Sequence, residues 1–454
     1  MSVQFFPTYE QVLRSKFGGL VFDVREYGAD PLGVEDSTGA IQEAVRHATN
    51  AGRAIVWLPG RFLISDTIAI NSSYIWLRGF GLSLDQSDSG VTGVGASSLF
   101  PSTSFPANVP LVRFGSLSNA SFLQGNGVSG LIVTGNSAPP GQTVVSQGGD
   151  GIDFLNCQAF HVDSACAEFT NGYGVYAQSN IAGGTSAAQI TRSFLYSTGK
   201  AGAYYDNGMV INWIRDNYFV DCGDYGICAN GDQTFIRGNH VEGTKTTGSG
   251  AYASGTAIFA DAAFCEIEGN DITTSALHGI YAIGWARVVN NTIIDPNGSG
   301  GGGCGVYTET QNPAGLIADN DIEDTRGTPL MKYGVQVQSA SGASVCRVRD
   351  NTIIGAVTAP VFFYGPPMVR ASGNVGYNPV GPTTVAVPLS GSPTVALPYD
   401  ATFYITQTTA ASSVSVQGQA LAIPVGGPTA IRVPAGQTLT PTYTTAPTWV
   451  VMGE

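Results

Sequence analysis

The sequence has 454 residues, of which 60 are glycine and only 12% are charged, and its formal net charge is −13 at pH 7. A chain of this length can bury a large core, and its glycine content is typical of turn-rich β structure rather than of helices. The acidic balance argues against nucleic acid and anionic membrane surfaces as partners, and no apolar run is long enough to span a bilayer.

The start of the chain carries no secretion signal. Residues 1–20 lack a basic stretch followed by an apolar one and contain a short helical pattern around residues 9–16. The seven cysteines form neither a Cys-x-x-Cys pair nor a zinc spacing, so we expect buried free thiols. We therefore expect a protein made in the cytoplasm without a signal peptide, with residues 1–20 as a separate N-terminal segment.

A single amphipathic helix is predicted over residues 37–50. Asp36 or Ser37 can cap its N-terminus, and Gly52 can end it. Its apolar residues recur on one face, at Ile41, Ala44, Val45 and Ala48. Short apolar strands follow, separated by turn residues.

Four motifs follow one another around this helix. They are Asp-Val-x-x-Tyr-Gly-Ala-Asp from residue 23, Asp-Ser-x-x-Ala-Ile-Gln-x-Ala from residue 36, Val-x-Leu-Pro-Gly from residue 56 and Leu-Arg-Gly-x-Gly from residue 77. This order resembles the opening of pectate-lyase-superfamily (pectin-lyase-like) β-helix proteins, which include glycosidases, fructotransferases and bacteriophage tailspikes. The resemblance implies a helix that covers the N-terminal end of a solenoid, and it is specific for fold rather than for chemistry.

A short pattern, apolar-x-x-Asn-x-apolar, repeats through residues 208–374 at intervals of 21 to 31 residues. It is centred on Asn217, Asn239, Asn270, Asn291, Asn320, Asn351 and, more weakly, Asn374. A fixed pattern with variable insertions is typical of a solenoid, and its β-branched residues and turn residues favour strands. We therefore predict an all-β fold, a right-handed single-stranded parallel β-helix over residues 21–376, in which these asparagines stack as a ladder.

A second pattern, a strand that usually opens with glycine, gives the register of successive coils. Alternation predicts two neighbouring outward columns. They are Val210, Cys228, Phe259, Tyr281, Tyr307 and Gln336, and then Asn212, Asn230, Asp261, Ile283, Glu309 and Gln338.

The last part of the chain, residues 377–454, is poor in charge and alternates between apolar and polar residues, which predicts a small antiparallel β domain. Its Asn-Pro-Val-Gly junction from residue 378 and its Pro-Thr-Trp sequence from residue 447 resemble phage tail proteins. That resemblance implies trimerisation through this domain. The alternative is an ordinary monomeric β domain.

Asp261 and Glu309 are the candidate catalytic pair, because they share an outward column two coils apart. Their Cα atoms would be about 9.6 Å apart, close to the roughly 6.5–9.5 Å between the carboxyl groups of inverting glycosidases. The candidate substrate-binding residues are Phe259, Tyr281, Tyr307, His278 and Asp224. Two other carboxylate pairs share columns, Asp271 with Asp321 and Glu242 with Glu323. Solvated carboxylates and an aromatic trimer interface are the simpler interpretations of the same residues.

The resemblance implies a tailspike-like receptor-binding protein that binds and cleaves a bacterial surface polysaccharide. It would act as a homotrimer of the virion tail at the host surface, and the N-terminal segment would contact other tail proteins. No metal or cofactor is predicted, and hydrolysis is favoured over elimination because no calcium-binding carboxylate cluster with a basic residue stands out. The alternatives are a free carbohydrate-active enzyme (glycosidase, lyase or fructotransferase) and a non-enzymatic structural or adhesin subunit.

Overall fold

The computed structural model describes residues 20–81, 96–137, 146–181, 187–206, 209–247, 252–310, 315–339, 345–364, 368–375, 386–394, 401–406, 412–425, 428–434 and 437–453. The chain forms two compact units. Unit 1 comprises Met1–Glu266 and Asn270–His278, and unit 2 comprises Ile267–Gly269 and Gly279–Glu454. Except for Leu20, the predicted N-terminal segment lies outside the described residues, and the predicted domain boundaries stay a prediction.

Unit 1 is built from three parallel sheets, which confirms the predicted solenoid. The first sheet contains β4 (Ile68–Ile70), β7 (Val112–Gly115), β11 (Ile152–Leu155), β15 (Val175–Gln178), β18 (Ala201–Tyr205), β21 (Tyr225–Ala229) and the start of β24 (Thr256–Glu268). The second contains β1 (Val21–Asp23), β2 (Ala54–Trp57), β5 (Ile75–Arg78), β9 (Gly127–Ser129), β13 (His161–Asp163), β16 (Ala188–Thr191), β19 (Asn212–Arg215) and β22 (Gln233–Arg237).

The third sheet of unit 1 contains β3 (Arg61–Ile64), β6 (Ser98–Pro101), β10 (Ile132–Thr134), β14 (Cys166–Glu168), β17 (Phe194–Tyr196), β20 (Tyr218–Val220), β23 (His240–Glu242) and β25 (Asp271–Thr273). A short parallel pair joins β8 (Leu123–Gln124) and β12 (Cys157–Gln158). Inward side chains of successive coils stack on one another. Phe154, for example, stacks on the register-paired Phe114 of the preceding coil with ring centroids 4.8 Å apart, and within its own coil it stacks on Phe160 at 4.0 Å.

A 3₁₀ turn (Val24–Tyr27) and the helix α1 (Thr38–Ala51) precede these coils. The predicted apolar stripe of α1 is fully or almost fully buried. The Asp36 carboxylate accepts a hydrogen bond from the Thr38 amide, and Gly52 follows the last turn at a φ of 83°. The Gln42 side chain donates to the Ala69 carbonyl (2.7 Å) and accepts from the Ala69 amide (3.1 Å). The helix thereby supplies the first strand of the first sheet with a hydrogen-bond partner.

The asparagine ladder of unit 1 consists of Asn217, Asn239 and Asn270, all buried. Asn217 Nδ2 donates to Asn239 Oδ1 and Asn239 Nδ2 donates to Asn270 Oδ1, each at 2.9 Å. Each ladder residue follows a residue in the left-handed region, Asp216, Gly238 or Gly269 (φ 57–63°). Aspartate and glycine tolerate this conformation, so the repeated motif forms a corner as well as a ladder.

Unit 2 continues the same construction. Its parallel strands are β26 (Ile280–Val289), β28 (Cys304–Thr310), β31 (Tyr333–Ser339), β34 (Ala359–Tyr364), β29 (Gly315–Ala318), β32 (Val345–Arg349), β35 (Met368–Ser372), β27 (Thr292–Ile294), β30 (Asp321–Glu323) and β33 (Thr352–Ile354). Its ladder runs through Asn291, Asn320, Asn351 and Asn374, with amide-to-amide distances of 2.8–2.9 Å.

The C-terminal strands of unit 2 are antiparallel, as predicted. They are β36 (Ala401–Thr406), β37 (Ser412–Val416), β38 (Gln419–Ile423), β39 (Pro428–Val433), β40 (Leu439–Thr442) and β41 (Thr448–Gly453). They form two three-stranded sheets, β39-β36-β41 and β38-β37-β40, around a small apolar core that includes Phe403 and Leu439.

All seven cysteines are buried free thiols, as the sequence indicates. No helix among the described residues is both long and apolar enough to cross a membrane. One predicted strand is wrong. Gly208 lies outside the described residues, and Asn212 belongs to β19 in the second sheet, so neither Val210 nor Asn212 is in the predicted columns. The first-sheet strand at this level is β18, which pairs Ala203 with Ile227 and Tyr204 with Cys228.

Candidate active site

The first sheet of unit 1 carries one outward column over six coils. Its members are Arg113, Asp153, Tyr176, Tyr204, Cys228 and Phe259, as the strand register shows. The neighbouring inward residues are apolar and buried. We call the group Asp150, Asp153, Tyr173, Tyr176, Tyr204 and Asp206 the acidic–aromatic face.

Three tyrosine rings form the aromatic part of this face. Tyr173 and Tyr176 are stacked with their ring centroids 5.1 Å apart, and Tyr204 lies 4.7 Å from Tyr173. The Lys200 ammonium lies 5.0 Å from the centre of the Tyr173 ring, and the Asn230 amide donates to the Tyr204 hydroxyl (3.2 Å). The pKa of Tyr204 is raised to about 12, mainly because the side chain is partly buried. The phenols therefore remain neutral at physiological pH, and half-buried neutral rings of this kind are suited to contact with sugars.

Asp150 and Asp153 form a carboxyl pair beside these rings. The Tyr173 amide donates to Asp150 Oδ1 at 2.7 Å, and a Cβ at position 172 would lie 1.9 Å from that oxygen, so Gly172 makes the arrangement possible. Burial, and then the charge of Asp150 and the hydrogen bond to it, raise the pKa of Asp153 to about 9. Burial also raises the pKa of Asp150, but the larger rise is that of Asp153, so Asp153 is the member of the pair that keeps a proton at neutral pH.

Two buried polar atoms on this column make no hydrogen bond to any residue that the structure describes. They are Arg113 Nε and Asp153 Oδ1, on register-paired residues of β7 and β11. Asp153 is only 6% exposed. A buried donor and acceptor without partners are costly to a fold, and such groups are concentrated at functional sites.

Asp206 supplies a third carboxylate. Its Oδ2 accepts a hydrogen bond from the Tyr176 hydroxyl at 3.1 Å, and its backbone continues the pairing of β18 with β15. Extension of the strand register puts Asp206, Asn230 and Asp261 in one outward column. Asp206 and Asp261 are then two coils, about 9.6 Å, apart, and Asp206 and Asp153 are about 12 Å apart between Cα atoms. Both pairs have the spacing from which leaning side chains reach the carboxyl separation of an inverting glycosidase.

The predicted residues Asp261, Phe259, Asp224 and His278 all belong to unit 1. Asp261 is exposed. Burial is the main cause that raises the pKa of the fully buried Cys228, and the charges of Asp206, Asp261 and Asp224 raise it further. These three carboxylates therefore surround one thiol of the outward column. Phe259 is 6% exposed, beneath Tyr225 and Tyr252, with ring centroids 5.5 Å and 6.2 Å away.

The other two predicted binding residues of unit 1 are buried. Asp224 Oδ1 accepts hydrogen bonds from the hydroxyls of Thr247 and Ser254, each at 2.5 Å, and so holds the insertion between β23 and β24. Burial lowers the pKa of His278 to about 4, so this imidazole is neutral at physiological pH. A direct role of either residue in binding substrate remains a prediction.

Glu309, Tyr281 and Tyr307 belong to unit 2. The predicted column is confirmed there, since Tyr281 pairs with Tyr307, and Ile283 with Glu309 and then Gln338. The Tyr281 hydroxyl donates to Glu309 Oε2 at 2.6 Å, and the Tyr307 hydroxyl donates to Gln338 Oε1 at 2.5 Å. The pairing of Asp261 with Glu309 as acid and base joins residues of different units and stays a prediction.

The competing carboxylates of unit 1 have structural partners. His240 lies 2.9 Å from Asp271 and 3.3 Å from Glu242 on the third sheet. Within the described ranges, no group of three or more His, Cys, Asp or Glu side chains is placed to hold a metal ion.

Asp150, Asp153, Tyr176 and Tyr204 are not among the candidates that the sequence indicates, and Asp206 is indicated only as a residue at a strand entry near the site. A signal for them exists, because Gly151-Ile152-Asp153, Gly174-Val175-Tyr176 and Gly202-Ala203-Tyr204 share the glycine-apolar-outward pattern of the later coils. Assigning the strand at Gly208 instead of Gly202 removed Tyr204 and Asp206 from the column.

The fold and this face define a right-handed parallel β-helix of the pectate-lyase superfamily. The chain belongs to the family described as Rhamnogalacturonase A/epimerase, pectate lyase-like, whose model matches residues 21–270, and a model of the right-handed beta helix region matches residues 225–381. It is therefore a right-handed β-helix protein of that family. No curated protein sequence matches the chain.

Solved structures of the same fold cover most of the chain. The mannuronan C-5 epimerase AlgE4 A-module of Azotobacter vinelandii is 15% identical, with a TM-score of 0.56 over 78% of this chain and 94% of that one. The catalytic unit of a GH87 alpha-1,3-glucanase from Streptomyces thermodiastaticus is 15% identical, with a TM-score of 0.51 over 83% and 70%. The tailspike gp49 of Acinetobacter baumannii bacteriophage Fri1, a capsular polysaccharide depolymerase, is 13% identical, with a TM-score of 0.41 over 95% and 85%. At these identities the likeness concerns the fold alone.

Proposed function

We propose that the chain binds a polysaccharide on the acidic–aromatic face of unit 1 and cleaves it by glycoside hydrolysis. The observation that carries this proposal is the neutral Asp153 carboxyl, buried with one unpartnered oxygen beside stacked tyrosines and charged carboxylates. A carboxylic acid that keeps its proton at neutral pH beside a carboxylate that does not is the requirement of glycoside hydrolysis. The description of the family names a rhamnogalacturonase, in agreement with this activity, and beside it an epimerase and a pectate lyase-like protein.

In the proposed reaction, Asp153 gives its proton to the glycosidic oxygen as the bond from that oxygen to the anomeric carbon breaks. Asp206 takes a proton from the water that adds to the anomeric carbon, and Tyr176 holds the Asp206 carboxylate in place. The solvent-accessible parts of the Tyr173 and Tyr204 rings contact the sugars on either side. Bond formation by water opposite the departing sugar would invert the anomeric configuration.

We further propose that the substrate is a bacterial surface polysaccharide and that the protein is a tailspike-like receptor-binding protein of a virion tail, assembled as a homotrimer. The support is the resemblance of the opening motifs and of the C-terminal residues to tail proteins. The antiparallel strands at the C-terminus also expose large apolar side chains, at Leu421 (48%), Val450 (45%) and Tyr404 (40%). Exposed apolar groups of this kind favour self-association.

The test is release of reducing ends from purified capsule or cell-wall polysaccharides by the full chain. Asp153→Asn and Asp206→Asn should each lower the rate by a factor of about 10² to 10⁴, with little loss of folded protein. Asp232→Asn, a change of an exposed aspartate in the same unit, is the matched control and should leave the rate unchanged.

The same assay separates this site from the pair Asp261 and Glu309. Loss of activity in Asp261→Asn and Glu309→Gln, with full activity in Asp153→Asn, would replace the proposed acid by that pair. Unsaturated products, detected by their absorbance in the ultraviolet, would instead indicate elimination. Binding without any cleavage across the substrates would indicate a non-enzymatic adhesin.

A further inference from the structure

A second site lies on the second sheet of unit 1, away from the strands of the acidic–aromatic face. It is a pocket of about 420 Å³ beside β2 and β5, lined by residues that include Arg53, Ile55, Tyr74, Trp76, Arg78 and Gly125. This volume is within the range of about 300–1,000 Å³ that is usual for small-ligand sites.

The two aromatic rings of the pocket are held in place. Trp76 Nε1 donates to the Gly125 carbonyl at 2.9 Å, and the Tyr74 hydroxyl donates to Gln124 Oε1 at 3.0 Å. A Cβ at Gly125 would lie 2.5 Å from the Tyr74 ring, so only glycine lets the ring take this position. The rings are therefore ordered before any ligand arrives, which lowers the entropic cost of binding.

The backbone at Tyr74 is strained. Its φ of 64° lies in the left-handed region, which is unfavourable for a bulky aromatic residue. Other residues of the coils share this conformation, among them Phe169 (φ 52°) and Ile211 (φ 58°), so it belongs to the corner geometry of the fold. It places the phenol beside Gln124 and Arg53, at the rim of the pocket.

Positive charge distinguishes this pocket from the rest of an acidic chain. The Arg53 guanidinium carbon lies 4.5 Å from the centre of the Tyr74 ring, and Arg78 lies two residues beyond Trp76 on the same outward side of β5. Guanidinium groups bind carboxylates through paired, charge-assisted hydrogen bonds, and flat aromatic rings bind the apolar faces of sugars.

We propose that this pocket binds an acidic sugar unit, a pyranose that carries a carboxylate, with the Trp76 and Tyr74 rings against the sugar and Arg53 and Arg78 toward the carboxylate. It would be a non-catalytic subsite that anchors an acidic polysaccharide. The inference rests on the proposed function only for the statement that the sugar belongs to a polymer, because binding of the free sugar can be measured without any cleavage.

The test is titration of the full-length chain with glucuronate, followed by calorimetry and by saturation-transfer NMR. Glucose, which lacks the carboxylate, and acetate, which lacks the ring, serve as ligand controls. We expect glucuronate to bind at least about tenfold more tightly than either control, and Arg53→Gln to weaken it about tenfold, the effect of one lost charge-assisted hydrogen bond. Trp76→Phe should keep part of the affinity, and Trp76→Ala should lose it.

Arg215→Gln is the matched protein control, since Arg215 is an exposed arginine of β19 on the same sheet and does not line the pocket. It should bind glucuronate as the unchanged chain does. Equal binding of glucose and glucuronate, equal binding of acetate and glucuronate, or full affinity in Arg53→Gln would each overturn the proposal. Asp153→Asn should bind glucuronate normally, so loss of cleavage with retained binding separates the failure of one proposal from that of the other.

Discussion

At the scale of single residues, the protonation state of Asp153 decides whether this side chain can act as the proposed acid. Its position on an outward column would ordinarily leave it charged and solvated. Burial and then the charge of Asp150 instead favour the neutral acid, and the nearby charge of Arg113 opposes them only in part. The folded protein keeps a proton on Asp153 that the unfolded chain would release, and this difference should make the free energy of unfolding depend on pH.

Asp153→Asn should alter that pH dependence in a defined direction. The folded pKa of about 9 lies above the ordinary value of an aspartate, so the folded state holds a proton that the unfolded state releases between those two pH values. The contribution of Asp153 to stability is therefore complete at acidic pH and is lost as the pH rises toward 9. The Asp153→Asn variant has no carboxyl to ionise at this position, so its stability does not fall in this way. Its Tm at pH 8 should exceed that of the unchanged chain by about 2–4 °C.

Thermal unfolding at pH 4, 6 and 8 checks this expectation. The Tm difference between variant and unchanged chain should grow with pH, whereas Asp232→Asn, at an exposed position, should show a constant difference. A difference that shrinks as the pH rises would mean that Asp153 is charged in the folded protein.

Residue types alone did not identify this acid. The ladder asparagines are evident in the sequence because the same residue recurs in the same motif. The stacking of like amides requires an asparagine at that position of every coil. The outward column instead changes residue at every coil, from Arg113 and Asp153 to Tyr176 and Cys228. Only the register brings such different side chains together, and the predicted columns begin at Val210, after the coil that carries Asp153.

At the scale of elements, the ladder explains how coils of unequal length keep one register. Asn239 donates from Nδ2 to the Ile214 carbonyl at 2.9 Å, and its Oδ1 accepts from the Asn217 amide at 3.1 Å. Its Nδ2 also donates to Asn270 Oδ1 at 2.9 Å, so one side chain bonds both the coil before it and the next ladder residue. Insertions between coils change loop lengths without shifting the strands, because the corner is fixed at each turn.

Asn239→Ala should destabilise unit 1 by about 2–5 kcal/mol, because it leaves several buried backbone and amide groups without partners. Urea denaturation followed by circular dichroism measures the change. Asn50→Ala, at an exposed position of α1, is the control and should shift stability by less than about 0.5 kcal/mol. A loss in Asn239→Ala no larger than in the control would show that the ladder does not hold the coils.

At the scale of the whole molecule, the β-helix and the C-terminal antiparallel strands were both evident in the sequence because each has its own periodicity. Repeats of 21 to 31 residues with a fixed motif specify stacked coils, and alternation with few charges specifies the smaller sheets. How many copies assemble was not specified in this way, since self-association depends on surfaces rather than on periodicity.

The proposed homotrimer predicts a particle of three times 47.0 kDa in light scattering coupled to size exclusion. Leu421→Glu and Val450→Glu should shift this mass toward the monomer by placing charges on exposed apolar positions of β38 and β41. Val357→Glu, an exposed apolar position outside these strands, should leave it unchanged. A monomer at micromolar concentration in the unchanged chain would contradict the proposal.

The side-chain amide of Gln42 also affects how separate copies of the protein can associate. A stack of parallel coils ends in a row of open hydrogen-bonding groups, and two such ends from separate copies could add to each other without limit, as in a growing fibril. By occupying the Ala69 donor and acceptor with one side chain, α1 covers the middle of the first strand of the first sheet. A strand of another copy cannot pair with that residue, which works against fibril-like growth from this edge.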